Sequence, residues 1–160
     1  SLRVMRSSDS ELMLAWRNQL AVYQGFYTQG YLLKGILTWE EHHNWLNTRH
    51  NWQIFIIQYE DLDDVRDVGV VSLGQLDCWK PQIGLYVGEA SLWGKGVGKQ
   101  ALTEALRWLS GRETKYYRVW TTILINNDRA IKLFESVGFK RTGVGRPGEW
   151  EYEIDLKEAT

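Results

Sequence analysis

The sequence predicts an α/β (α+β) fold in which a mixed sheet carries helices on both faces. Three observations lead there. Strand-like and helix-like stretches interleave along the chain, an acidic turn joins two strand-like runs as an antiparallel hairpin, and two strongly periodic helices each follow an apolar run. At 160 residues, 44% hydrophobic and without a linker rich in Gly, Ser or Pro, residues 1–160 read as one domain, long enough to bury a core.

The elements follow in order. Leu2 to Met5 reads as a short strand, and Ser8-Asp9-Ser10-Glu11 has the S-x-x-E form of a capping box opening a helix through Leu12, Ala15 and Trp16. Thr38-Trp39-Glu40-Glu41 repeats the signal for a helix reaching about Thr48, with Trp39, His42, His43 and Leu46 on one face. Strands are expected over 53–59, 68–73 and 83–87, the first two joined by the charged turn 60–67. Val97, Ala101, Ala105 and Leu109 recur every four residues, so a helix runs to Gly111, and 119–125 is a buried strand. The stretch 126–139 begins with Asn and Asp caps, puts Ala130, Ile131 and Phe134 on one face, and ends Gly138-Phe139. That ending predicts a left-handed glycine stop with an apolar residue folded back over it. Residues 150–156 alternate and make the last strand.

Composition excludes several function classes. A net charge of -1 argues against broad nucleic-acid binding, which needs a basic surface to displace counterions. No run approaches the roughly 18 apolar residues of a membrane span, and the start lacks a signal-peptide layout, so a cytoplasmic protein is expected. The chain opens on Ser1 rather than Met, which points to processing or a trimmed start. Cys78 stands alone, and three His with one isolated Cys match no metal-ligand spacing, so no metal is expected. The crowding of aromatics between 16 and 52, Phe26 among the Trp and Tyr, suits core filling and, as a group, the wall of a cleft.

The stretch "SLWGKGVGKQ" raises the question of which anion its turn holds. A P-loop needs G-x-x-x-x-G-K-[ST], which is absent, and the dinucleotide pattern G-x-G-x-x-G fails at Lys99. What remains is a glycine turn entering a helix N-terminus, where unpaired N–H groups converge on the positive end of the helix dipole. A pyrophosphate fits that concavity, with Lys95 and Lys99 supplying charge.

This turn resembles motif A of the GNAT N-acetyltransferases, [QR]-x-x-G-x-[GA]. Asn127, Ala130, Phe134, Gly138 and Phe139 resemble the N-x-x-A-x-x-x-Y...GF block that follows it. The resemblance covers essentially the whole chain and implies the GNAT fold, a mostly antiparallel twisted sheet, with acetyl-coenzyme A as cosubstrate. It implies that Gly94, Lys95, Gly96, Val97, Gly98 and Lys99 hold the pyrophosphate, and that Tyr86 and Val87 offer a splayed strand edge to the pantetheine arm. The Val87 N–H would serve as oxyanion donor. Trp93 stands where the family has Gln or Arg, and Phe134 where many members place a proton-donating Tyr. Asn127 and Ala130 complete the coenzyme set.

For the general base, two candidates stay open. Glu89 follows the strand carrying the thioester, or else is a solvated loop acid. His42 lies in "EEHHNWL", which resembles a segment of acetyltransferases acting on nucleotide-linked 4-amino sugars, or else is a core histidine; Trp45 belongs to the same segment. "LAWRN" resembles that branch too, and implies Trp16, Arg17 and Asn18 at the acceptor site, with Arg17 meeting a phosphate. The expected acceptor is a small-molecule amine, an amino sugar linked to a nucleotide. The alternatives are a protein N-terminal amine, as in ribosomal-protein acetyltransferases, or a non-catalytic coenzyme A sensor. A homodimer is compatible with either.

Overall fold

The computed structural model describes residues 1–113 and 115–157. Seven strands form one sheet: β1 (Leu2–Val4), β2 (Gln53–Asp61), β3 (Asp64–Gly74), β4 (Gln82–Val87), β5 (Arg118–Leu124), β6 (Lys140–Val144) and β7 (Glu149–Asp155), in spatial order β1-β2-β3-β4-β5-β7-β6. Every neighbouring pair is antiparallel except β4 and β5, which are parallel and register only at Gln82 against Trp120. Beyond that bridge the two strands part.

Helices cover both faces, as the periodicity predicts. Helix α4 (Val97–Ser110) buries Val97, Ala101, Leu102, Ala105, Leu106 and Leu109, the stripe read from the sequence, against Phe55, Ile57, Leu73, Ile83 and Val119. Helix α5 (Asp128–Val137) joins that face through Phe134. On the opposite face α1 (Ser10–Arg17) and α3 (Trp39–Asn47) pack Met13, Trp16, Trp45 and Leu46 over Ile54, Ile56 and Val70. Successive residues of β2 therefore serve different cores, which is why Ile54 to Ile57 read as an unbroken apolar run.

The caps separate correct expectations from incorrect ones. Thr38 Oγ1 accepts from Glu41 N at 3.2 Å and Glu41 Oε1 accepts from Thr38 N at 3.1 Å, a true capping box. Gly138 adopts φ 118, and Phe139 folds back to within 4.9 Å of the Phe134 ring. The expected box at Ser8 and Glu11 does not form. Asp9 takes over that corner: its carboxylate accepts from Arg6 N at 2.7 Å and pairs with Arg3 at 2.8 Å, tying the helix start to β1.

Four features exceed the sequence reading. The acidic turn 60–67 is mostly ladder, since β2 and β3 stay paired out to Asp61 against Asp64. A short α2 (Leu20–Tyr23) and a π-helical turn at Tyr27–Tyr31 fill the aromatic-rich segment. Strand β6 is exposed throughout and borders β7 at the sheet edge.

Candidate active site

The parting of β4 and β5 opens a cavity of about 660 Å³. Its geometry follows from strand alternation. Gly88 N donates to Val68 O at 2.6 Å, so the neighbouring even-numbered N–H groups of β4 also point toward β3. The N–H groups of Leu85 and Val87 then face the open side, where β5 has moved away. A backbone donor without a strand partner is costly unless a ligand or water meets it. Both residues line the cavity.

Trp93 fixes the far end of this strand. Its indole Nε1 donates to Val87 O at 2.9 Å, so the residue that replaces the expected Gln or Arg pins the glycine turn to the last residue of β4. The Arg129 guanidinium lies 3.3 Å from the centre of the Trp93 ring, a cation–π contact that brings a positive charge to the turn. Gly96 has φ 84 and is the N-cap of α4, and a Cβ built there meets nothing within 4 Å. The backbone curls left-handed around open space at the positive end of a helix of 14 residues. Gly94, Gly96, Val97, Gly98 and Lys99 line the cavity there, with Arg129 and Lys132 from α5; Lys95 does not.

Asn127, Ala130 and Phe134 also line it. Asn127 Oδ1 accepts from Ala130 N at 3.3 Å, so this side chain caps α5 while standing at the wall. Phe134 is buried and offers no proton.

The other end of the cavity is aromatic and cationic. Arg17 lines it beside Met13, Phe26, Trp45 and Tyr86. Its guanidinium lies 4.8 Å from the Trp45 ring centre and 5.7 Å from that of Phe26, and Arg49 covers Trp45 at 4.5 Å. Arg17 Nη1 and the Tyr86 hydroxyl are buried without hydrogen-bond partners. Burial pulls the Arg17 pKa down, and no salt bridge offsets the charge among the described residues. Burial pushes the Tyr86 pKa up, so the phenol keeps its proton.

Besides Lys95, four predicted site residues lie off this wall. Trp16 packs its indole over Gly88, where any Cβ would collide with it, and supports Tyr86 edge-on at 6.4 Å. Asn18 is a loop clamp: its Oδ1 accepts from Leu37 N at 2.8 Å and its Nδ2 donates to Leu37 O at 3.0 Å. Glu89 is tied by Arg66 at 3.1 and 2.9 Å on the rim of β3. His42 is fully buried beneath Trp45, their rings nearly parallel at 6.3 Å, with neither ring nitrogen hydrogen-bonded. The histidine is buried behind the wall, stacked on Trp45 and within reach of the Arg17 charge.

That burial has a pH signature. Desolvation first, then the Arg17 charge, push the His42 pKa down to about 4 from 6.5. Between those values the unfolded chain binds a proton that the native ring refuses, so stability is full above the unfolded pKa and falls on acidification. The loss should total roughly 3 kcal/mol across the window. Urea unfolding at pH 7 and pH 4.5 checks it: His42→Met should show a smaller acid loss than the parent by about that amount, and equal losses would refute it.

Sequence reasoning passed over Arg129, Lys132, Arg146 and Glu149, all on the wall, and reached Phe26 only as one of the crowded aromatics. The spacing of Arg146 and Glu149 across Pro147-Gly148 was the available signal, because such a turn returns the two side chains to one another.

The profile described as an acetyltransferase (GNAT) domain matches residues 1–140. An uncharacterised protein of Methanocaldococcus jannaschii is 41% identical over 155 residues, which are 97% of this chain and 31% of that protein, so the chain spans about a third of its relative's length. A solved domain from the same organism superposes with a TM-score of 0.90 at 41% identity, covering 97% of both chains. A spermidine N-acetyltransferase from Vibrio cholerae, in complex with CoA and spermine, shares the fold at TM-score 0.79 and 15% identity, over 99% of this chain and 96% of its own. An aminoglycoside acetyltransferase in complex with coenzyme A does so at 0.79 and 17%, over 99% and 95%. With the profile, the splayed β4 and β5, and the left-handed glycine turn in agreement, the chain belongs to the GNAT acetyltransferase family.

Proposed function

We propose that the chain transfers an acetyl group from acetyl-coenzyme A to the primary amine of a small anionic acceptor, an amino sugar linked to a nucleotide. The observation that carries the acceptor reading is Arg17, a half-buried side chain on the cavity wall whose buried Nη1 has no hydrogen-bond partner and which pairs with no carboxylate among the described residues. A buried cation left unpaired is costly, and an acceptor phosphate would offset that cost with charge-assisted hydrogen bonds. Phe26 and Trp45 beside it supply flat surfaces for a base or a pyranose.

The coenzyme fits the other end. Gly94 to Lys99, with Arg129 and Lys132, would hold its phosphates; the outward N–H groups of Leu85 and Val87 would pair with the pantetheine amides, with Tyr86 between them. Attack by an amine on a thioester places negative charge on the carbonyl oxygen, and the Val87 N–H, held through Trp93, would donate to it. Phe134, Ala130 and Asn127 would border the thiol, which leaves as thiolate where no side chain protonates it, and the proton that the attacking amine sheds would pass to water in the cavity. Holding both reactants in one cleft supplies the proximity the reaction needs.

Charge also weighs against the alternatives. The acceptor end of the wall carries Arg17 and Arg146 against Glu149 alone, which disfavours a basic peptide N-terminus or a polyamine. Thiol release from acetyl-coenzyme A, followed with a nucleotide-linked 4-amino sugar, a basic peptide and spermidine, tests the reading. The sugar should exceed the others in kcat/KM by about tenfold or more, the equivalent of one charge-assisted contact. Preference for the peptide would overturn the acceptor, and binding of coenzyme A without turnover of any amine would mark a sensor.

A further inference from the structure

Glu149 is the one carboxylate on the cavity wall among the described residues. It opens β7 opposite Leu124 of β5, and its side chain is 4% exposed. Arg146 meets it fork to fork, Nε to Oε1 at 2.7 Å and Nη2 to Oε2 at 3.1 Å. The hairpin backbone braces this pair: Glu149 N donates to Arg146 O at 2.9 Å and Gly145 N donates to Glu149 O at 3.1 Å.

The two partners are unlike. Glu149 is locked inside, whereas the Arg146 side chain is 57% exposed and rests on the Tyr27 ring, its guanidinium 3.6 Å from the ring centre. A salt bridge that serves the interior alone has little use for a solvent-exposed partner on a cavity rim. A carboxylate has about four lone-pair positions, and the Arg146 fork uses two of them. The rest remain for a cation that enters the cavity. Phe26 and Tyr27, adjacent in sequence, link this carboxylate to the Arg17 end, so the wall offers a negative and a positive station on either side of one aromatic pair.

We propose that Glu149 is the docking carboxylate for the acceptor's ammonium group, with Arg146 as the exchangeable counter-ion that occupies it between turnovers. The proposal rests on the acetyl-transfer reading and assigns the amine end of the same acceptor whose anion meets Arg17. Neither Glu89, tied to Arg66 outside the wall, nor His42, sealed behind Trp45, stands where an incoming ammonium can reach it.

The role predicts opposite effects from the two members of the pair. Calorimetry would compare a nucleotide-linked 4-amino sugar with the same compound bearing a hydroxyl in place of the amine. The parent protein should prefer the amine. Glu149→Gln should lose that preference and raise the acceptor KM by about tenfold or more, the scale of one hydrogen bond to a charged group. Arg146→Gln should bind the amine several times more tightly, because a competing cation is gone. Glu149→Asp, which keeps the charge, should retain the preference and provides the reading if Glu149→Gln fails to fold. Equal weakening by Glu149→Gln and Arg146→Gln, or an amine preference that survives Glu149→Gln, would overturn the docking role and leave a structural clamp. If the parent protein binds coenzyme A and acetylates no amine, the acetyl-transfer reading itself falls, and with it this inference.

Discussion

Gly96→Asp should weaken coenzyme A binding by about a hundredfold, or roughly 2.7 kcal/mol, while the protein stays folded. The fold survives for a local reason. Gly96 is the N-cap of α4, and Asp is among the better N-caps, so the new carboxylate satisfies helix donors that are otherwise free. Its Cβ enters open space, and Asp tolerates a left-handed backbone better than most residues. The coenzyme loses on the same account: the carboxylate occupies the donors and the positive dipole end that a pyrophosphate would use, and repels what remains. Gly96→Asn supplies shape without charge and should cost only about tenfold, so the difference between the two isolates electrostatics. Calorimetry with coenzyme A reads both values, and parent-like affinity in the Asp variant would remove the glycine turn from the binding site.

Arg17→Met should raise the KM of a nucleotide-linked amino sugar by about a hundredfold and leave an uncharged amino sugar nearly unaffected, since a buried charged contact is typically worth 2–5 kcal/mol when truncated. The same substitution should stabilise the fold by about 1 kcal/mol, because it replaces a half-buried guanidinium whose Nη1 has no partner by an apolar chain among Met13, Phe26 and Trp45. Loss of acceptor affinity together with gain in stability identifies a residue kept for its ligand. Steady-state kinetics and urea unfolding measure the two sides. A destabilised protein with unchanged acceptor kinetics would make Arg17 a packing residue.

The sequence was most legible where side chains repeat with the period of their element. The stripe from Val97 to Leu109 located α4, and the Gly138-Phe139 ending located the stop of α5 together with its tertiary contact. Strand β6 left no such trace. All five of its residues are exposed, so it is held by the backbone ladder to β7, and a ladder selects no side-chain pattern. The segment from Leu20 to Tyr31 was silent for another reason: its aromatics pack in different directions around a π-helical turn, without a period to detect.

The site divides in the same way. The end proposed for the coenzyme lies on short local signals, a glycine turn and an N-cap; the residues expected there line the cavity except Lys95, and Arg129 and Lys132 join them. The end proposed for the acceptor is assembled from α1, α3, β4 and the β6–β7 hairpin, and no local spacing announces which of those side chains meet. Arg17 and Trp45 reached the wall, whereas Asn18, the C-cap of α1, turned to a loop, and His42, one turn before Trp45 on α3, to the core.

The single bridge between Gln82 and Trp120 leaves the sheet as two ladders, β1 to β4 and β5 to β7, that share one residue pair. Cooperative unfolding needs coupling across that seam, and within the protein much of it comes from α4, whose apolar stripe lies in one cluster with Ile83 on one side and Val119 on the other. A molecule threaded along the seam would add hydrogen bonds to the free edge of β4 and contacts to β5, acting as a transient eighth strand. Occupancy and cohesion of the sheet would then be one linked equilibrium, in which every substrate that enters also mends the fold.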